Sequence, residues 1–147
     1  MKTIRLIFLF VALAGFLSAA QAAEHARIQG ILISASNDQG KTDQRLAAYE
    51  PTLKRLLRFE SYRFLGDDST SLAVPASGQL SIGDGHLLEI VTESADGSGI
   101  HVRVRWTKGG RNLMSTGLVL RPGVPAVLGG PSTGKKGEVY AVIVIGR

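Results

Sequence analysis

From Ile100 to Thr107 the chain alternates strictly between apolar and polar residues. Ile100, Val102, Val104 and Trp106 fall on one side, and His101, Arg103 and Arg105 on the other. Successive side chains of a strand point to opposite faces, so this stretch predicts a half-buried β-strand. The charges around it constrain its partner. Residues 59–100 hold seven acids and one base, whereas residues 101–147 hold eight bases and one acid. The asymmetry has two explanations: a basic patch for a polyanion, or two paired segments whose charges face each other. Laying 88–92 antiparallel to 102–106 tests the second. Ile90 then faces Val104 and Leu88 faces Trp106, while Glu89 meets Arg105 and Glu93 meets His101 with Arg103 diagonal to it. The connection is Asp96-Gly97-Ser98, or two residues longer, a usual hairpin length. Each exposed cross-strand pair contributes only a few tenths to about 1 kcal/mol. The larger effect is on register, because a slip of one residue would expose Trp106 and bury the arginines.

Short strands with frequent Gly and Pro punctuation account for most of the remaining chain. Strands are predicted at Ile28–Ala35, Tyr62–Leu65, Ser71–Pro75, Gly78–Ile82, His86–Glu93, Leu113–Leu120, Pro125–Leu128 and Glu138–Ile145, the last apolar enough to lie inside a sheet covered on both faces. Gly109-Gly110 suits a two-residue turn that sets Trp106 opposite Leu113, whereas the apolar pattern prefers Met114; a bulge near Gly109–Arg111 would reconcile them. A helix is predicted from Thr42, its N-cap, with Leu46, Tyr49, Leu53, Leu56 and Leu57 on one face. Pro51 either kinks it or opens a second helix; one bent helical segment is the expectation.

The N-terminus carries Lys2 and Arg5, then an apolar run from Leu6 to Leu17, then Ala20-Gln21-Ala22. That order is a secretory signal with a small-x-small cleavage site, and the run is too short to span a bilayer. Cleavage is placed after Ala22, with Ala23 next. Residues 1–22 are the signal peptide and 23–147 a single globular domain, periplasmic or extracellular, with no transmembrane segment after cleavage. The mature part holds 15 Lys+Arg against 12 Asp+Glu, a net charge of +3, so the basic balance of the whole chain overstates the case for nucleic acid. The absence of cysteine excludes disulfides, thiol chemistry and Cys-ligated metal.

Several motifs resemble active sites and lack a necessary part. Gly129–Lys136 approaches a phosphate loop, but Lys136 stands where the magnesium-binding Ser or Thr belongs and no helix can follow; no nucleotide is expected. Gly130-x-Ser132-x-Gly134 has the letters of a nucleophile elbow, yet no His follows it. His86, His101 and a carboxylate could hold a metal only if the two histidines lay close. The register above separates them along the ladder, so solvated or salt-bridged histidines are the better expectation. Tyr62, Phe64 and Trp106 could form a stacking shelf, but Trp106 in an apolar row belongs in a core. No catalytic residue and no cofactor is implied. The basic residues able to bind an anion are Arg103, Arg105, Lys108, Arg111, Lys135 and Lys136.

The order Leu46, Tyr49, Pro51, Leu53, Leu56-Leu57, Ser61-Tyr62 and Leu65, with Leu128-Gly129-Gly130-Pro131 before an apolar final strand, resembles a pattern in small exported bacterial envelope proteins of uncharacterised function. The resemblance covers most of the mature chain. It implies a bacterial envelope setting and no particular chemistry. The expected fold is α+β: a mainly antiparallel β-sheet of six to eight strands, curled or sandwich-like, with one bent helical segment packed on one face. The expected function is a non-catalytic module binding another envelope protein, for which a sheet edge is one surface. A polyanion binder and a small hydrolase without a recognised motif are the alternatives.

Overall fold

A computed structural model describes residues 25–38 and 40–147; the expected signal peptide, 1–22, lies outside the described residues. Eight strands run in chain order: β1 His25–Ser36, β2 Ser61–Ala73, β3 Ala76–Gly83, β4 His86–Asp96, β5 Gly99–Lys108, β6 Arg111–Leu120, β7 Ala126–Ser132 and β8 Glu138–Gly146. They form two four-stranded sheets, β2-β1-β8-β7 and β3-β4-β5-β6, and every ladder between these strands is antiparallel. Among the described residues, no helix is long and apolar enough to cross a membrane.

The register expected for β4 and β5 holds through most of its length. Leu88 faces Trp106, Glu89 faces Arg105 and Ile90 faces Val104. A bulge at Glu93 then sets Ser94, and not Glu93, opposite His101. The turn closes on Asp96, which accepts hydrogen bonds from the Ser98 backbone N–H at 2.8 Å and from the Ser98 hydroxyl, and stands 2.9 Å from His101 Nε2. These contacts, led by the Ser98 hydroxyl, hold the Asp96 carboxyl down at about 2. Between β5 and β6 both preferences are met at once: Lys108 faces Arg111 across Gly109-Gly110, and Trp106 faces Met114. The extra residue is Leu113, two places beyond the expected bulge region.

Two expected strands, Tyr62–Leu65 and Ser71–Pro75, are one. The polar stretch between them reads as loop by composition, but it pairs with β1 without a break from Gly66 onward, after a bulge at Leu65. Its acids have partners: Asp67 accepts from Gln29 Nε2 at 3.1 Å, and Asp68 accepts from the backbone N–H of Ser81 in β3 at 3.1 Å. His25 begins β1, opposite Ala73.

The two sheets pack face to face over Ile28 and Leu32 of β1, Leu80 and Ile82 of β3, Leu88 and Ile90 of β4, Trp106 of β5, and Val142 and Val144 of β8. The other face of the first sheet is equally apolar. Ile31, Ile33, Ala35, Ala141, Ile143 and Ile145 are buried there beneath Leu46 and Leu53. The covering layer corrects the expected bent helix. A 3-10 turn, Gln44–Leu46, is capped by Asp43, and a separate short helix, α1, spans Glu50–Leu57 with Pro51 in its first turn. Proline is tolerated there because those N–H groups have no partner within the helix. Asp43 is the cap in place of Thr42, and its bonds to Arg45 hold its carboxyl down at about 2. The break shifts the helical phase, so Leu53 is buried while Leu56, expected on the same stripe, is 53% exposed. Tyr62 ties this layer to the sheet, donating to the Leu53 carbonyl at 2.9 Å and accepting from the Phe59 N–H at 3.1 Å.

At the β2–β3 flank the two sheets come close enough that Gly66 lies against the backbone carbonyl of Ile82. A methyl group there meets main chain that cannot turn aside, whereas at Gly129 it would meet only the Leu57 side chain at ordinary contact distance, 3.5 Å. Gly66→Ala is therefore expected to lower stability by about 1–3 kcal/mol, the usual range for overpacking. Gly129→Ala should change it much less, and urea unfolding of the two variants measures the difference.

Candidate functional site

The six basic residues do not form one surface. Arg103 and Arg105 stand on the outer face of β5, each beside an acid of β4: Arg103 Nε is 3.6 Å from Glu93 and Arg105 Nη1 is 3.9 Å from Glu89. Pairs this exposed are weak, but they neutralise the centre of the expected patch. Lys108 and Arg111 flank the β5–β6 turn, and Lys135 and Lys136 lie on the β7–β8 turn. Arg111, Lys135 and Lys136 make no ion pair with a described residue.

The antiparallel order brings the β3–β4, β5–β6 and β7–β8 turns and the 37–60 connection to the same end of the molecule. A side-chain chain that composition did not reveal closes part of this end. Tyr140 of β8 donates to Asp84 Oδ2 at 3.1 Å, and Lys108 Nζ lies 3.3 Å from the Tyr140 hydroxyl. Beneath them His86, expected to be solvated, is wholly buried. Its ring centroid is 4.5 Å from that of Tyr140, and its Nδ1 accepts from Trp106 Nε1 at 2.9 Å. Since Trp can only donate, Nδ1 carries the lone pair and a neutral His86 holds its proton on Nε2. That nitrogen is buried without a partner. Burial first, and the Lys108 charge second, push the His86 pKa below its ordinary value. The sequence signal available was the Leu88–Trp106 register, which puts His86 near the end of β5; its aim at Trp106 depends on rotamers that pattern does not encode.

At the mouth, beside Tyr140, a cleft of about 260 Å³ opens at the end of the first sheet. Its floor is Ser34, which faces Tyr140 on one side and Arg63 on the other, with Ser36 and Ser61 above it. Lys41, Arg63 and Lys135 line its rim together with Asp38 and Glu138. Only Lys135 of these stood among the predicted anion binders; Lys41 and Arg63 come from segments that the charge count assigned to neither block or to the acidic one.

The remaining motifs are structural. Gly129–Lys136 runs from strand β7 into a turn and on to strand β8, and Ser132 Oγ accepts from the Gly134 N–H at 3.1 Å. Gly130 packs against the Trp106 ring, where a side chain would collide. Tyr62 and Trp106 lie in the two different cores on opposite faces of the first sheet, so they do not share a shelf.

His86 sets the sign of a pH dependence. Its folded pKa lies below the unfolded value near 6.5, so below that pH the unfolded chain binds a proton that the folded chain refuses. This part of the stability is complete above about pH 6.5 and falls as the pH drops through it toward the folded pKa. His86→Asn, whose amide oxygen can take the place of Nδ1, removes the titration. Urea midpoints from about pH 7.5 to about 5.5 should fall less steeply in the variant than in the parent, and equal slopes would refute the assignment.

Compared with known protein families, curated proteins and solved structures, the chain matches none.

Proposed function

We propose that the chain is a non-catalytic binding domain of the bacterial cell envelope, exported by its 1–22 signal, and that it takes another protein by strand addition at β6. The observation that carries this is the condition of the β6 edge. Strand β6 is hydrogen-bonded on one side only, to β5, and the seam between β6 and β7 carries no ladder. From Asn112 to Leu120 it has neither a charge nor a proline, the usual protections of an exposed edge.

The other edges differ: β3 also lacks charge and proline, but β2 lies along it, with Gly66 against the Ile82 carbonyl and Asp68 accepting from the Ser81 N–H. Strand β7 contains Gly129-Gly130-Pro131. Strand β2 carries Asp67 and Asp68, and Gly66 packs it onto β3. The core also thins at the open seam: Leu113, Met114 and Leu118 of β6 and Ala126 of β7 pack on it while only partly buried. An incoming strand with alternating apolar residues would extend the sheet through backbone bonds and complete that burial. The polyanion reading draws on Arg111, Lys135 and Lys136, but its centre at Arg103 and Arg105 is paired to acids.

Ser115 and Thr116 are neighbours, so one N–H points to β5 and the other into the seam. Proline at the first removes a ladder bond and should lower the melting temperature. Proline at the second should leave it nearly unchanged and abolish retention of the partner from envelope extract. Wild-type protein should hold that partner at both low and high salt. Retention by the seam-facing proline variant would overturn strand addition, and loss from wild type as salt rises would favour the polyanion reading.

A further inference from the structure

We propose that the cleft at the mouth is a binding site for a small hydroxylated acid, a molecule of monosaccharide size bearing one carboxylate or phosphate group. This does not rest on strand addition, since the cleft lies at the end where β6 begins and the apolar part of the seam runs away from it.

Three observations carry it. First, three cations from distant parts of the sequence converge: Lys41 from the connection after β1, Arg63 from β2 and Lys135 from the β7–β8 turn. None is neutralised by the carboxylates that share the rim, because no ion pair joins Lys41, Arg63 or Lys135 to Asp38, Glu138 or any other described residue. Second, the floor is polar where the fold calls for apolar residues. Along β1 the inner positions run Ile28, Gly30, Leu32 and then Ser34 and Ser36. Ser34 is 5% exposed, and its hydroxyl has no hydrogen-bond partner among the described residues. Its oxygen still opens onto the cleft, since His86 Nε2 is the one wholly buried side-chain polar atom without a partner among the described residues, so the hydroxyl is available to a ligand bound there. Third, the acids are set to take donors. Glu138 uses one oxygen for the Thr133 hydroxyl, 2.9 Å away, and keeps the other.

The arrangement selects its ligand by charge and by number. A guanidinium, two ammonium groups and the Ser34 hydroxyl all donate, which suits one oxyanion. Asp38 and Glu138 only accept, so they repel a second anionic group and bind hydroxyl donors instead. A long polyanion is disfavoured by the same two carboxylates, and an uncharged sugar leaves the cations unanswered. With a volume of about 260 Å³, the cleft holds a molecule smaller than a drug-sized ligand.

The test uses the mature protein with glucuronate, glucose 6-phosphate and glucose as probes, followed by amide shifts in ¹⁵N-labelled protein. Binding should be saturable for at least one of the two acids, should move the amides of Ser34, Ser36, Ser61 and Arg63, and should be absent for glucose. Whichever acid binds identifies the head group. Arg63→Gln, Lys135→Gln and Ser34→Ala should each weaken binding, the charge removals by roughly tenfold. Arg103→Gln and Arg105→Gln alter the net charge equally but lie outside the cleft, and should leave affinity unchanged. The proposal is overturned if neither acid binds, if glucose binds as well as the acids, or if the β5 variants weaken binding as much as Arg63→Gln.

Discussion

Burial of β1 and β8 on both faces is the constraint from which the rest of the architecture follows. Val142 and Val144 point between the sheets while Ala141, Ile143 and Ile145 point the other way, and β1 is divided in the same manner. A strand apolar on both sides cannot rest at the surface of a two-layer sandwich. The second sheet covers one side. The 3-10 turn and α1, short as they are, are required on the other, and Tyr62 fastens them through the Leu53 carbonyl. The outer sheet has no such demand, and its free face carries the charge ladder of Glu89, Glu93, Arg103 and Arg105.

Strand placement was legible in the sequence wherever alternation or a continuous apolar run was strong, because those patterns report burial directly. The β4–β5 pairing is the clearest case: apolar residues and charges pointed to the same register. What failed was local. Gly66 to Thr70 lacks apolar residues, so nothing in its composition distinguishes a strand held by an apolar neighbour and by Asp67 and Asp68 bonds from a loop. The helical layer was mistaken in phase because Pro51 permits either a kink or a new start, and packing under Leu46 and Leu53 decides between them. His86 was mistaken because its surroundings, Trp106 and Tyr140, converge from strands far apart in sequence.

The basic residues show how a one-dimensional charge count can mislead about a surface. Eight bases in the last third of the chain suggest a patch, but the strand order distributes them over an outer sheet face and separate turns. Pairing with β4 neutralises two of them. Conversely, the charges that do converge, on Lys41, Arg63 and Lys135, come from segments with nothing in common except their position at one end of the molecule.

Strands β1 and β8 are neighbours in the centre of a sheet, joined even beyond the ladder by reciprocal backbone bonds between Arg27 and Arg147 at 3.0 and 2.8 Å. All the other strands lie between them in the chain. The loop that this pairing must close is therefore the longest available, and such contacts form late in folding. Until β8 arrives, β1 presents apolar side chains in both directions with only β2 beside it. A chain interrupted before β8 is thus not a slightly shortened domain but one lacking its middle, with a sticky ribbon exposed. Quality control acting on the nascent protein would meet that ribbon as its principal hazard.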